Sequence, residues 1–168
     1  MATTARRLGW LGALALAAGC ESSTAPGAGD AQDEVMRATD AMRDFGEYVV
    51  YVNAIMTDQL TPQVASEYGI VRSKNRALLT VSVHRKAQGG RTIAVKAPER
   101  SASAVNLTAQ LRQITLREIS EAEGEAIYYI GETAINNEES LIFTVELTPE
   151  GSSMPLSLRY QKQFFVSQ

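Results

Sequence analysis

Beyond about residue 44, hydrophobic and polar residues alternate with a period of two over much of the chain, the pattern of strands that bury one face. Between Arg76 and Arg85, Ala77, Leu79, Val81 and Val83 fall on one face while Thr80, Ser82 and His84 fall on the other. Leu141, Phe143, Val145 and Leu147 repeat the pattern against Thr144 and Glu146, and Leu156, Leu158, Tyr160, Lys162 and Phe164 line one face of a terminal strand. Further strands are predicted over 48–55, 93–96, 102–119 with a break near Gln110, and 125–135. About seven strands at this spacing predict an all-β fold, an antiparallel β-sandwich.

The interruptions have local causes. Gln88-Gly89-Gly90, Asn136-Asn137-Glu138-Glu139 and Pro149-Glu150-Gly151-Ser152 read as hairpin turns, and such short links predict antiparallel neighbours. One helix is predicted near 62–68, with Thr61 as N-cap, Pro62 at the first helical position and Gly69 after the last turn. Apolar residues from Val35 to Phe45 recur at helix-like spacing through Ala38 and Met42, which predicts a second short helix there. Glu21 to Asp33 contains no large apolar residue, cannot bury enough surface to offset its ordering entropy, and reads as a tether. The chain thus divides into 1–19, a segment 20–43 carrying the tether, and a single domain over 44–168.

The first segment has the character of an export signal: Arg6 and Arg7, an apolar run from Leu8 to Ala18, then small residues. The run is too short to span a bilayer, which takes roughly 20 apolar residues. Leu16-Ala17-Ala18-Gly19-Cys20 resembles the lipobox of bacterial lipoproteins, with Ala17 at the position where Leu is usual. Cys20 is the only cysteine, and an exported protein normally pairs its thiols, so lipidation of Cys20 accounts for a lone one. Several acyl chains on one residue make a stable membrane anchor where a single chain does not. The expected location is the cell envelope, anchored through Cys20 and facing the periplasm, with the outer membrane preferred over the inner, although Glu21 after the cysteine decides the sorting less than Asp would.

Charge narrows the partners. Cleavage before Cys20 leaves 14 basic against 19 acidic residues, a net charge of −5, which argues against nucleic acid or an anionic membrane surface as a general partner. An envelope protein is the expected partner, and no motif calls for a cofactor or a metal.

Tyr68-Gly69-Ile70-Val71-Arg72-Ser73-Lys74-Asn75-Arg76, running into Leu78-Leu79-Thr80-Val81-Ser82-Val83, resembles the signature of a family of exported proteobacterial proteins catalogued as domain of unknown function 4426. Phe45-Gly46-Glu47-Tyr48, Val50-Tyr51 and Asn53-Ala54 are similar to its opening strand, and Arg117-Glu118-Ile119 with Ala126-Ile127-Tyr128-Tyr129 to its central hairpin. The resemblance implies an immunoglobulin-like sandwich and carries over no catalytic residue. The lipobox and longer tether depart from the ordinary signal peptide of many members.

Candidate chemistry is sparse. Arg72, Ser73, Lys74 and Arg76 concentrate three positive charges and could grip a carboxylate or phosphate, Arg through its planar fork. A structural role is the simpler account, because cations near a helix C-terminus favour its dipole. Glu121, Glu123 and Glu125 form an acidic turn that lacks the spacing of a calcium loop. His84 is the only histidine and has no second ligand at useful spacing. There is no nucleophile elbow, and a carboxylate hydrolase or carbohydrate-active enzyme would need two carboxyls in one cleft, a pair the sequence does not select, with Glu118 or Glu121 as an arbitrary first guess. The leading expectation is a non-enzymatic envelope lipoprotein that binds a partner. Metabolic labelling with a palmitate analogue is expected to mark the wild-type protein and not Cys20→Ala; equal labelling of both would exclude the anchor.

Overall fold

The structure, a computed structural model, describes residues 34–121 and 125–166; Cys20 and the tether residues up to Asp33 lie outside them. Two sheets face each other. The first contains β1 (Val35–Met36), β6 (Glu99–Asn106), β7 (Leu111–Ile114), β10 (Glu139–Thr148) and β11 (Leu156–Phe164), in the order β1-β11-β10-β6-β7. The second contains β2 (Met42–Phe45), β3 (Tyr48–Met56), β4 (Arg76–Lys86), β8 (Arg117–Glu121) and β9 (Ala126–Ala134), in the order β2-β3-β4-β9-β8, with β5 (Thr92–Ala94) also on β4. Every pairing is antiparallel except the short one between β1 and β11.

The all-β sandwich expected from the alternation is what forms, and its core is built from the predicted inward positions. Ala77, Leu79, Val81 and Val83 of β4 are fully buried against Leu141, Phe143, Val145 and Leu147 of β10. At about 1.5–3 kcal/mol for each large apolar side chain, this interior dominates the folding free energy. Two tyrosines tie the layers together. Tyr129 of β9 accepts a hydrogen bond from the Ala97 N–H at 2.6 Å, in the crossover that leads to β6, and the Arg100 guanidinium lies 4.9 Å over its ring. Tyr160 of β11 is fully buried against the opposite sheet, where the backbone of Ala54 opposes part of the effect of that burial on its phenol. Burial pushes both phenols above their usual range.

Several details differ from expectation. The described residues contain eleven strands rather than about seven, the additional ones being short edge strands and a division of the 102–119 stretch into three. That stretch breaks a second time at Thr115-Leu116, where the chain passes from β7 in one sheet to β8 in the other. The passage runs so close to β9 that a Cβ at Gly131 would collide with Ile114 and approach the Thr115 carbonyl oxygen to 3.0 Å. Residues 35–45 form β1 and β2 and not a helix, because both gain partners remote in sequence: β1 pairs with Arg159–Tyr160 and β2 with Tyr48–Tyr51. Consequently the domain starts earlier than residue 44.

Asn136–Glu138 is likewise not a hairpin, since β9 and β10 lie in different sheets. The link is held by Glu139, whose carboxylate accepts from the Asn136 N–H at 2.9 Å, from Asn106 Nδ2 at 2.9 Å and from Arg112 at 2.6 and 3.1 Å. Asn106 is fully engaged in this network, its Oδ1 accepting from Thr108 and Gln110. The Arg112 guanidinium holds the Glu139 carboxyl at about 2, against the opposing effect of burial, with Asn106 and the Asn136 N–H adding to the depression. Because the folded state favours the carboxylate, this contribution is complete above pH ~4.5 and is lost as pH falls toward about 2. Glu139→Gln is expected to lower stability by on the order of 3 kcal/mol at pH 7 and to flatten that acid limb, measured by urea unfolding across pH.

Candidate functional site

The second sheet is apolar on both faces. Opposite the core, Ile55 of β3, Leu78 of β4, Tyr128 and Ile130 of β9, and Ile119 of β8 form a second hydrophobic surface. The link between β3 and β4 covers it. That link contains α1 (Pro62–Glu67), and the predicted local signals operate: the Thr61 hydroxyl accepts from the Val64 N–H at 3.3 Å, Pro62 opens the helix, and Gly69 takes φ 62° just past its end. Leu60, Val64, Ala65, Tyr68 and Ile70 face the sheet. Ala65 and Ile70 are buried against Leu78 and Ile130.

The cover does not fill the space beneath it. A pocket of about 280 Å³ remains between α1 and the sheet, walled by the residues just named except Ala65, together with Thr80 and Glu121. At its mouth the Tyr68 hydroxyl donates to Glu121 Oε1, and Arg117 of β8 donates to the Tyr68 carbonyl oxygen. These contacts tie the end of α1 to β8. Beyond Thr80 the same face turns polar, through Ser82 and His84. His84 meets Ser82 Oγ at 3.2 Å and packs edge-on against Tyr51 with ring centres 5.1 Å apart. It is half-buried, and that burial lowers its pKa.

The basic cluster stands next to this pocket as its hinge rather than as its lining. Thr57, fully buried, offers its hydroxyl to the carbonyls of Val71 at 2.9 Å and Ser73 at 3.1 Å and accepts the Ser73 N–H at 2.9 Å. Arg72 reaches the Asp58 carbonyl oxygen at 2.7 Å, Ser73 Oγ accepts from the Asn75 N–H at 3.1 Å, and Arg76 pairs with Glu132 at 3.1 Å. Lys74 too has an interaction within the fold. The four candidate residues are adjacent, yet Arg72, Ser73 and Arg76 point into separate local bonds and present no convergent anion cradle.

The two glutamates named for a hydrolytic carboxylate separate as well. Glu118 faces inward with Tyr129 and pairs with Lys96 at 3.4 Å, whereas Glu121 faces outward to the pocket, so the two lie on opposite faces of β8. Glu123 lies outside the described residues. Among the described residues no group of three or more His, Cys, Asp or Glu side chains converges as for a metal, and no helix is long and apolar enough to cross a membrane. Of the aromatic candidates, Tyr48, Tyr129, Tyr160 and Phe164 are core, Tyr128 lines the pocket, and Tyr51 and Phe165 are exposed.

The sequence model of the domain of unknown function DUF4426 matches residues 42–167. The chain belongs to the DUF4426 family. Among solved structures, a DUF4426 family protein from Pseudomonas aeruginosa PAO1 is similar at 28% identity and TM-score 0.62, over 76% of this chain and 95% of that one. A copper-bound variant of FetP from uropathogenic Escherichia coli is more distant, at 12% identity and TM-score 0.47 over 76% of this chain and 90% of that one. No curated protein matches. Within this DUF4426 chain, the stretches that carry the family resemblance meet at the pocket: Tyr68 and Ile70 from one, Leu78 and Thr80 from its continuation, Ile119 and Tyr128 from the hairpin.

Sequence periodicity alone passes over this site, although a signal for it exists. Ala77-Leu78-Leu79 and Ile127-Tyr128-Tyr129-Ile130 are continuous apolar runs, the mark of strands covered on both faces. Thr57→Val keeps the shape of the hinge while leaving the Ser73 N–H and two carbonyls without their partner. It is expected to cost about 1–3 kcal/mol in thermal or urea unfolding, with Thr57→Ser near wild type.

Proposed function

We propose that this protein is a non-enzymatic binding module of the bacterial cell envelope, held to the membrane through lipid on Cys20, and that its ligand enters the pocket between α1 and the second sheet. The observation that carries the reading is the pocket itself: a concave, mostly apolar site with few polar groups in its wall, Tyr68 and Glu121 being joined by a hydrogen bond. That composition is typical of small-molecule sites, and a volume of about 280 Å³ suits a small ligand or one side chain of a larger one.

Three further features support it. Cys20 sits at the end of a small-residue run in the manner of a lipobox. Glu118 and Glu121, the alternative first guesses for a hydrolytic carboxylate, lie on opposite faces of β8 and do not share a cleft. The Arg72 to Arg76 turn, the earlier contact candidate, holds the pocket's cover in place and contributes to binding through that positioning. An outer-membrane address fits Glu21 after the cysteine.

Binding can be read with the neutral polarity-sensitive dye prodan and the purified full chain carrying Cys20→Ala. Val64 stands on α1 with its side chain toward the pocket. Val64→Trp is expected to fill the space and reduce dye affinity at least tenfold while the melting temperature changes by no more than a few degrees. Dye binding that Val64→Trp leaves intact would remove the pocket assignment.

A further inference from the structure

Resting on that pocket as the binding site, the polar end of the pocket specifies its ligand. We infer that the ligand is a small free amine, an apolar alkyl or aryl body bearing a protonated nitrogen that seats beside Glu121 and the Tyr68 hydroxyl.

The charge at the mouth sets the sign. Glu121 is the one charged residue among those lining the pocket. Among the described residues it is exposed and accepts a hydrogen bond from Tyr68 onto Oε1. The neighbouring cation does not neutralise the site from inside: Arg117 is committed to the Tyr68 carbonyl oxygen and lines a separate depression with Gln113 and Glu132. A ligand carboxylate would meet Glu121 as a like charge, whereas an ammonium meets an opposite one.

Hydrogen-bond chemistry points the same way. The only hydrogen of the Tyr68 hydroxyl is committed to Glu121, so toward the pocket Tyr68 offers lone pairs. Carboxylate and phenol oxygen together present acceptors at that end, and an ammonium brings three donors and no acceptor. Two tyrosines, Tyr68 and Tyr128, line the same space, and the faces of aromatic rings attract cations. The remainder of the wall is Ile, Leu and Val, which makes no demand on a ligand body beyond apolarity and size. A volume of about 280 Å³ limits that body to a short chain or a single ring system.

The experiment is competition against prodan by octylamine, octanol and octanoate at pH 7, each below its aggregation threshold, on the full chain carrying Cys20→Ala and counting only the signal that Val64→Trp abolishes. Octylamine is expected to displace the dye at a concentration at least tenfold lower than octanoate, with octanol between them. Glu121→Gln is expected to bring octylamine and octanol within about twofold of each other. Octanoate competing as well as octylamine, or a preference for the amine that survives Glu121→Gln, overturns the inference and leaves the pocket reading standing. Absence of a Val64→Trp-sensitive prodan signal in the parent protein overturns both. The three-compound ranking in the parent protein decides the matter even if Glu121→Gln does not fold.

Discussion

One buried hydroxyl organises the functional half of this molecule. Thr57 follows β3 directly, and its Oγ1 gathers the backbone of Val71 and Ser73, sixteen residues along the chain at the farthest. The loop it closes contains α1 and all the residues that cover the outer face of the second sheet. Closing a loop of this length costs little more than closing a short one, because the entropic term grows only with the logarithm of length. The return is large, since without the cover Leu78, Ile130 and Ala65 lose their burial together. Arg72 on the Asp58 carbonyl and Arg117 on the Tyr68 carbonyl then fix the two ends of the covered segment.

The second sheet therefore carries two kinds of surface back to back. Its inner face is close-packed, with Tyr129 fully buried and reaching the Ala97 N–H of the link between the two sheets, and Tyr160 fully buried on the facing sheet. Its outer face is covered by a helix of two turns that touches the sheet through a few side chains and leaves space between them. A rigid core on one side supports a loosely filled site on the other, the arrangement in which strands hold positions and a connecting segment supplies the chemistry.

Much of the sandwich was legible along the chain, and the failures share one cause. The Arg76–Lys86 strand, the β10 and β11 faces and the Thr61 to Gly69 helix follow from local alternation and capping, and the structure reproduces them. Residues 35–45 misled because strands of two and four residues are too short to display period two, and their partners on β11 and β3 are remote. The turn at Asn136 misled because turn residues report a change of direction and not the identity of the next neighbour. Glu139, which decides that the chain leaves the sheet, does so through Arg112 and Asn106, both distant in sequence. The pocket draws on five elements, and the Arg72 to Arg76 cluster was visible while the bonds that occupy it were not. In each case the local signal was present and the long-range partner that settles its meaning was hidden.

Gly131 joins two distant stretches of sequence in the same way, and it does so through space that must stay empty. Its missing side chain is what lets Ile114 and the Thr115-Leu116 passage cross over β9. Positions 114 and 131 thus cannot drift independently: a side chain at 131 requires a smaller residue at 114 and a shifted passage, so a lineage reaches that combination only by changing both. The pair is an evolutionary lock, in which the smallest residue of β9 governs how the chain may move from one layer of the sandwich to the other.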